Sequence, residues 1–222
     1  MLTTPLVRLV DDDEALRNAL LFSLRMADLR AVGYESAEDF LRRDDPAVPG
    51  CVVMDIRMTG MSGLECHARM PSLGFDQPVV FLSGHGDIEM ALLAVKNGAA
   101  DFFTKPVDPE KLARAARELF SWNLDARRRS RERKHARKRV ETLTPRELDV
   151  ALETVKGDTN KAIAARLGVS EQAVKIHRSS VYAKLEVRSA VEIKAVLDAA
   201  GVPDAGADRR LPSGIEARLL SE

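Results

Sequence analysis

The sequence is poor in several residues that announce particular chemistries. It has 2 cysteines, Cys51 and Cys66, 15 positions apart and without a second pair. That excludes a disulfide framework and a cysteine-rich zinc module, and both are read as reduced thiols. No run approaches the roughly 18 uncharged apolar residues that a membrane span needs. The amino terminus, MLTTPLVRLVDDDEA, has no basic lead-in and no small-residue cleavage site. It is therefore not read as a secretory signal, and the expected compartment is the cytoplasm. Aromatics are only 5% of the 222 residues, yet 45% hydrophobic and 31% charged content excludes wholesale disorder. A chain of this length suits two compact domains better than one.

Net charge is also lacking, but by cancellation. Residues 1–120 hold 13 Lys+Arg against 19 Asp+Glu, a net of −6, and residues 121–222 hold 21 against 15, a net of +6. Residues 143–200 are only +1 (nine basic, eight acidic), whereas 121–142 carries nine basic residues against three acidic ones. The asymmetry predicts different partners for the two halves: cation or phosphate chemistry for the first, a polyanion for the second.

Five βα units are legible in the first half. LVRLV (6–10) meets Asp11-Asp12-Asp13, and a helix follows with Ala15, Leu16, Ala19, Leu20, Ser23 and Leu24 on one face. A weak strand at 29–32 leads to a helix opened by Ser36, with Asp39 as its capping-box partner. CVVM (51–54) runs into Asp55 and a TGMSG loop before a helix at 64–70. PVVFL (78–82) precedes Ser83-Gly84-His85-Gly86 and a helix at 88–97, and DFF (101–103) precedes Thr104-Lys105-Pro106 and a helix from about Pro109. Continuous apolar strands indicate burial on both faces, so the fold class is α/β, a doubly wound five-stranded parallel sheet.

In such a sheet, functional groups gather outside the carboxyl ends of the strands. Asp11, Asp12, Asp55, Ser83 and Lys105 all fall there. Three carboxylates at one site repel, and keeping them ionised requires a cation. Hard oxygen donors suit Mg²⁺, which shares a phosphoryl oxygen readily. Asp55 is then a metal-assisted nucleophile toward a phosphoryl group, Lys105 supplies positive charge to that group, and Ser83 donates a hydrogen bond. His67 is read as a helix-surface residue and His85 as a loop residue, since neither has a companion at metal-ligand spacing.

Asp11-Asp12, Asp55 after CVVM, Ser83 in FLSGHGD, Phe102 and Lys105-Pro106 resemble the receiver domain of a two-component response regulator. The resemblance implies a flavodoxin-like receiver fold and transfer of phosphoryl to Asp55 from a sensor histidine kinase. It places Asp12, Asp55 and the Arg57 backbone carbonyl on Mg²⁺, with Asp11 assisting through water, and makes Ser83 and Phe102 a switch pair. It also implies a cis Lys105–Pro106 bond. One position departs from the pattern: the fourth residue after the phosphoacceptor, usually Pro, is Thr59. Thr keeps a backbone N–H and is expected to loosen the loop.

From Glu110 to Thr144 there is neither Gly nor Pro. Leu112, Ala116, Leu119 and Trp122 follow helical spacing, so a helix is expected to pack to about residue 122. The basic stretch 123–142 reads either as a solvated helical extension or as a flexible linker, with nonspecific DNA contact weighed equally against a solvated face. Thr144-Pro145-Arg146-Glu147 is a capping box that starts a helix to about Lys156. A short helix then ends at Gly168, and Ser170 caps another whose expected buried stripe is Val174, His177, Val181 and Leu185. Two helices joined by so short a Gly-containing turn are the helix-turn-helix signature. The second leaves Lys175, Ile176, Arg178, Ser179 and Tyr182 outward, where a bare Ile fits a thymine methyl in a major groove. Ser189 with Glu192 opens a last helix whose apolar width suggests a dimer contact.

LTPRE, NKAIAARLGVS and VKIHRSSVYAKL resemble the LuxR-type DNA-binding domain. Joined to a receiver, the pattern resembles the FixJ/NarL family of response regulators. The resemblance implies that Lys175, Ile176 and Ser179 face bases, that Arg178 and Lys184 contact phosphates, and that the last helix dimerises.

The expected organisation is a receiver over 1–122, a basic linker over 123–142, a small all-α helix-turn-helix domain over 143–200 and a disordered tail over 201–222. The expected partners are a sensor histidine kinase, double-stranded promoter DNA, RNA polymerase and a second copy after phosphorylation; the resemblance implies pairing through the fourth and fifth receiver helices and the fifth strand. No membrane partner is expected, and no enzymatic activity beyond accepting phosphoryl and releasing it from its own aspartate. A haloacid-dehalogenase-type phosphatase would carry Asp two residues after the nucleophile, where this chain has Arg57. A regulator that binds DNA without phosphorylation would not need all five phosphorylation residues.

Overall fold

The computed structural model describes residues 6–84 and 98–203. The expected helix at 88–97, His85 and nearly all of the expected tail lie outside them. The chain divides into two compact units, Met1–Arg127 and Arg128–Glu222.

The described first unit runs β1 (Leu6–Val10), α1 (Glu14–Met26), β2 (Arg30–Tyr34), α2 (Ala37–Arg43), β3 (Gly50–Asp55), α3 (Gly63–Arg69), a 3₁₀ turn (Met70–Leu73), β4 (Val79–Ser83), β5 (Asp101–Thr104) and the start of α4 (Pro109–Val140). All neighbouring strands are parallel, in the order β2-β1-β3-β4-β5. The period-two alternation of strands sorts β3 between two cores. Val52 and Met54 pack with Phe40, Phe75 and Phe81, while Cys51 and Val53 pack with Leu20, Leu24, Leu112 and Ala116. Both cysteines are free and buried, and burial pushes each thiol up to about 12.

Local chemistry sets the helix starts. Asp13 caps α1 by accepting from Leu16 N–H (3.0 Å), and Ser62 and Glu65 form a capping box on α3. Ser36 caps α2, but Asp39 turns to Arg42 and Arg43 instead of completing a box. The inward face of α1 is Leu20, Leu21 and Leu24; Ala15 and Ala19 are exposed, a rotation of one position from the expected stripe. Arg8, in the middle of what reads as an apolar strand, is wholly buried. It pairs with Asp44 and donates to the carbonyls of Asp45 (3.2 Å) and Val48 (2.9 Å).

On α4 the inward residue near the expected end is Asn123, not Trp122, which is 55% exposed. Asn123 accepts from Gly50 N–H (3.2 Å) and donates to the Asp76 carbonyl (3.0 Å). One turn later Arg127 donates to Asp76 Oδ1 (2.8 Å) and to the carbonyls of Ala47 and Pro46 (both 2.6 Å). The first unit therefore reaches Arg127.

The second unit comprises α4 from Arg128, α5 (Pro145–Val155), α6 (Asn160–Leu167), α7 (Glu171–Lys184) and α8 (Ala190–Ala200). The basic stretch is helical to Val140, and Ala136 and Val140 join Leu148, Val181, Leu185, Ile193 and Leu197 in one core. A smaller core of Val150, Ile163, Ala164 and Val174 locks α6 and α7 against α5. Gly168 closes α6 in the left-handed region (φ 66°), a conformation Gly adopts without steric cost, and Ser170 then caps α7. His177 is only half-buried, so the inward stripe of α7 is Val174, Val181 and Leu185. On α8, Val191 remains 79% exposed. No helix among the described residues is long and apolar enough to cross a membrane.

Candidate functional site

Register assembles the acidic cluster. Val10 pairs with Met54, so the next residue along each strand, Asp11 and Asp55, emerges beside the other. Asp55 is opposite Leu82, and Ser83 is opposite Thr104, which brings Lys105 to the same edge. Asp11, Asp12 and Asp55 each present a carboxylate oxygen within 4.8 Å of the others. Lys105 Nζ bridges the two buried ones, 2.9 Å from Asp11 Oδ2 and 2.7 Å from Asp55 Oδ2.

One ammonium faces three carboxylates, two of them almost out of water. Burial, the largest influence, pushes the Asp55 carboxyl up; the Lys105 bond and charge oppose this, and the charge of Asp11 adds to it. Burial disfavours the Lys105 ammonium, but its hydrogen bonds and charge interactions with Asp55 and Asp11 outweigh that and raise it. An excess of hard, anionic oxygen donors fits a divalent cation better than a second amine. The donor set therefore suits a hard metal ion.

The loop after β3 is held at both ends. Arg57 N–H donates to Asp55 Oδ1 at 3.3 Å, Met61 N–H donates to Glu38 Oε1 at 2.8 Å, and Gly63 N–H donates to the Ile56 carbonyl at 3.0 Å. A Cβ on Gly63 would lie 2.1 Å from the Asp55 carbonyl oxygen, so only Gly permits α3 to start this close to β3. Thr59, where a looser loop is expected, is tied to Asp12. Its N–H and its hydroxyl both donate to Asp12 Oδ2, at 2.8 and 2.9 Å, and the backbone bond is the largest influence lowering the Asp12 carboxyl. No pattern in the sequence pairs residues 12 and 59.

Ser83 is fully buried, with its hydroxyl 3.5 Å from the Phe103 carbonyl, while Lys105 N–H donates to the Ser83 carbonyl at 2.8 Å. Phe102 is half-buried against the core that holds Phe81. The Lys105–Pro106 bond is cis. His67 is half-buried edge-on to Phe81 (5.7 Å between centroids) rather than on the surface, and burial lowers its basicity.

On α7, Lys175, Ile176 and Ser179 are exposed, Ile176 to 61%. Arg178 is half-buried and donates to Asn160 Oδ1 at 2.7 Å. Lys184 is committed more firmly, with Nζ 2.6 Å from Glu147 Oε2. Glu147 also accepts from Ser180 and from Thr144 N–H (2.8 Å). Burial alone would raise its carboxyl, but these partners together hold it down at about 2. The capping role of Glu147 is legible in the sequence; its ion pair across to α7 is not.

Two family models match the chain: the response regulator receiver domain over residues 7–117, and the bacterial regulatory proteins of the luxR family over 141–197. Transcriptional regulatory protein FixJ of Azorhizobium caulinodans is 36% identical over 199 residues, covering 90% of this chain and 94% of that protein. Response regulator protein TodT of Pseudomonas putida is 35% identical over 192 residues, covering 86% of this chain and 85% of that one. Among solved structures, response regulator StyR superposes with a TM-score of 0.77 at 35% identity, over 88% of this chain and 98% of that chain. Full-length FixJ from B. japonicum superposes with a TM-score of 0.57 at 30% identity, over 90% and 99% respectively.

Proposed function

Because the chain belongs to the response regulators that join a receiver domain to a LuxR-type DNA-binding domain, we propose that phosphorylation of Asp55 controls its binding to promoter DNA. The observation that carries this is the meeting of Asp11, Asp12, Asp55 and Lys105 at one edge of the sheet.

In this reading an Asp55 carboxylate oxygen attacks the phosphorus of a kinase phosphohistidine. The P–N bond breaks as the P–O bond forms, and the histidine nitrogen leaves with the electron pair and takes up a proton. Lys105, already 2.7 Å from Asp55, turns its ammonium to the new phosphoryl oxygens. Asp12, Asp55 and the Arg57 carbonyl would hold Mg²⁺, which when bound neutralises charge on the transferring group, and Asp11 would act through water. Ser83 moves to donate to the phosphoryl group, and Phe102 follows it inward as the second half of the switch. Hydrolysis of its own aspartyl phosphate is the one further reaction we assign; no small substrate is turned over.

The phosphoryl group carries roughly 1.5 to 2 negative charges where the Asp55 carboxylate carried one, so the site gains about 0.5 to 1. We propose that this favours pairing of two copies and so places two α7 helices on a two-fold related operator. Lys175, Ile176 and Ser179 then read base edges, and Arg178 and Lys184 contact phosphates. Each of these last two has an internal partner to exchange. Arg178 gives up the neutral Asn160 and Lys184 a carboxylate, so Arg178 contributes more. A sensor kinase and promoter DNA are the partners this reading requires, RNA polymerase is a third where the regulator activates, and the cytoplasm is where they meet.

The test is phosphorylation of the full chain by acetyl phosphate with Mg²⁺. Wild type should gain the mass of one phosphoryl group and bind operator DNA more tightly, and Asp55→Asn should do neither. Equal labelling of Asp55→Asn would show that the phosphoacceptor is another residue.

A further inference from the structure

Asp12 occupies an unfavourable position for an exposed carboxylate. It lies within reach of Asp11 and Asp55, whose charges repel it, and its own exposure would let it swing into water. Thr59 opposes that movement. Both of its donors meet the same oxygen, Oδ2, and leave Oδ1 without them. The loop that carries Thr59 is itself anchored, at Asp55 by Arg57 N–H and at Met61 by Glu38. Of the two groups joined by these bonds, the mobile one is therefore the Asp12 side chain. A hydroxyl alone would hold it with one bond, and a residue without a backbone N–H could supply neither the short 2.8 Å bond nor its direction.

We propose that Thr59 is a positioning residue for the divalent-cation site, holding Asp12 against charge repulsion so that the cation meets an assembled cluster. This rests on the reading of Asp11, Asp12 and Asp55 as a cation site. Groups that orient a metal-binding side chain change affinity by about 10- to 100-fold when removed. With only one oxygen of an exposed ligand involved, the lower end applies.

The experiment is titration of the full chain with Mn²⁺ alone, following free Mn²⁺ by electron paramagnetic resonance. Thr59→Pro, which loses both donors, should bind about 10-fold more weakly. Thr59→Val, which keeps shape and N–H, should fall between it and wild type, and Thr59→Ser should restore wild-type affinity. Wild-type or tighter binding by both Thr59→Pro and Thr59→Val overturns the positioning role, as does a Thr59→Ser variant as weak as Thr59→Pro. Asp55→Asn separates the two levels. If it binds Mn²⁺ as wild type does, or if wild type binds none, the cation-site reading itself fails. If Asp55→Asn weakens binding and the Thr59 variants do not, only the role of Thr59 is lost.

Discussion

Glu147 Oε2 accepts from Lys184 Nζ at 2.6 Å, which ties the first turn of α5 to the last turn of α7. The same carboxylate completes the capping box with Thr144, so one side chain serves a helix start and an inter-helix pair. Its folded-state value of about 2 lies below the ordinary 4.5, so the stabilisation is complete above pH 4.5 and is lost as pH falls toward 2. We expect Glu147→Gln to cost about 2 kcal/mol near neutrality. That is less than the full shift implies, because the Lys184 side chain is 34% exposed and partly screened. Urea unfolding followed at the Tyr182 ring resonances should show the wild-type advantage shrinking through that window. A constant difference down to pH 2 would contradict the assignment.

Gly63→Ala places a methyl against the Asp55 carbonyl, at an approach of 2.1 Å that only backbone movement can relieve. Overpacking of this kind costs about 1–3 kcal/mol. Thermal unfolding should reveal that loss, and acetyl phosphate labelling should slow because the displaced loop carries Arg57 and Thr59.

Neutralising exposed charges of the basic stretch should separate DNA binding from structure. Arg129, Lys134 and Lys138 are exposed on α4. Changing them to Gln should flatten the salt dependence of DNA affinity by about 0.9 in slope for each phosphate left without its cation. Arg127→Gln should instead leave the slope unchanged and destabilise the first unit by about 1 kcal/mol, since it removes the Asp76 ion pair and the bonds to the Ala47 and Pro46 carbonyls. Anisotropy titrations at several salt concentrations measure the first effect and denaturant melts the second.

Lys175→Ala should weaken operator binding by about 1–3 kcal/mol while changing affinity for scrambled DNA far less. Ile176→Ala should cost less, about 1 kcal/mol, and only at sites with a thymine opposite the side chain. Equal losses on both DNAs would make Lys175 a phosphate binder rather than a base reader and would remove the thymine contact from Ile176.

The sheet and its acidic edge were legible because both follow from local rules. Short, largely apolar runs ended on Asp11, Asp55, Ser83 and the approach to Lys105, and strand ends are where a parallel sheet exposes side chains. The helix-turn-helix was legible from Gly168, Ser170 and the spacing of Val174, Val181 and Leu185. Features decided by distant partners were not. Arg8 is stabilised by Asp44, the helix phase at Trp122 and Asn123 by Asp76 and Gly50, and Thr59 by Asp12, each across more than thirty positions. Periodicity sets the phase of a helix only to within about one residue, which is why α1 and α4 each present a neighbour of the expected inward residue.

Asn123 and Arg127 also bear on where this protein can be cut. Side chains one helical turn apart on α4 clip together the segment after the 3₁₀ turn and the loop before β3. A fragment ended where the receiver match stops, at residue 117, or where hydrophobic spacing fades, at 122, would leave both segments without that clip. Asp76 would lose its cation, and Gly50 N–H its acceptor. An isolated amino-terminal fragment meant for binding or labelling work should therefore be carried past Arg127, and a shorter one would understate the stability of the domain it represents.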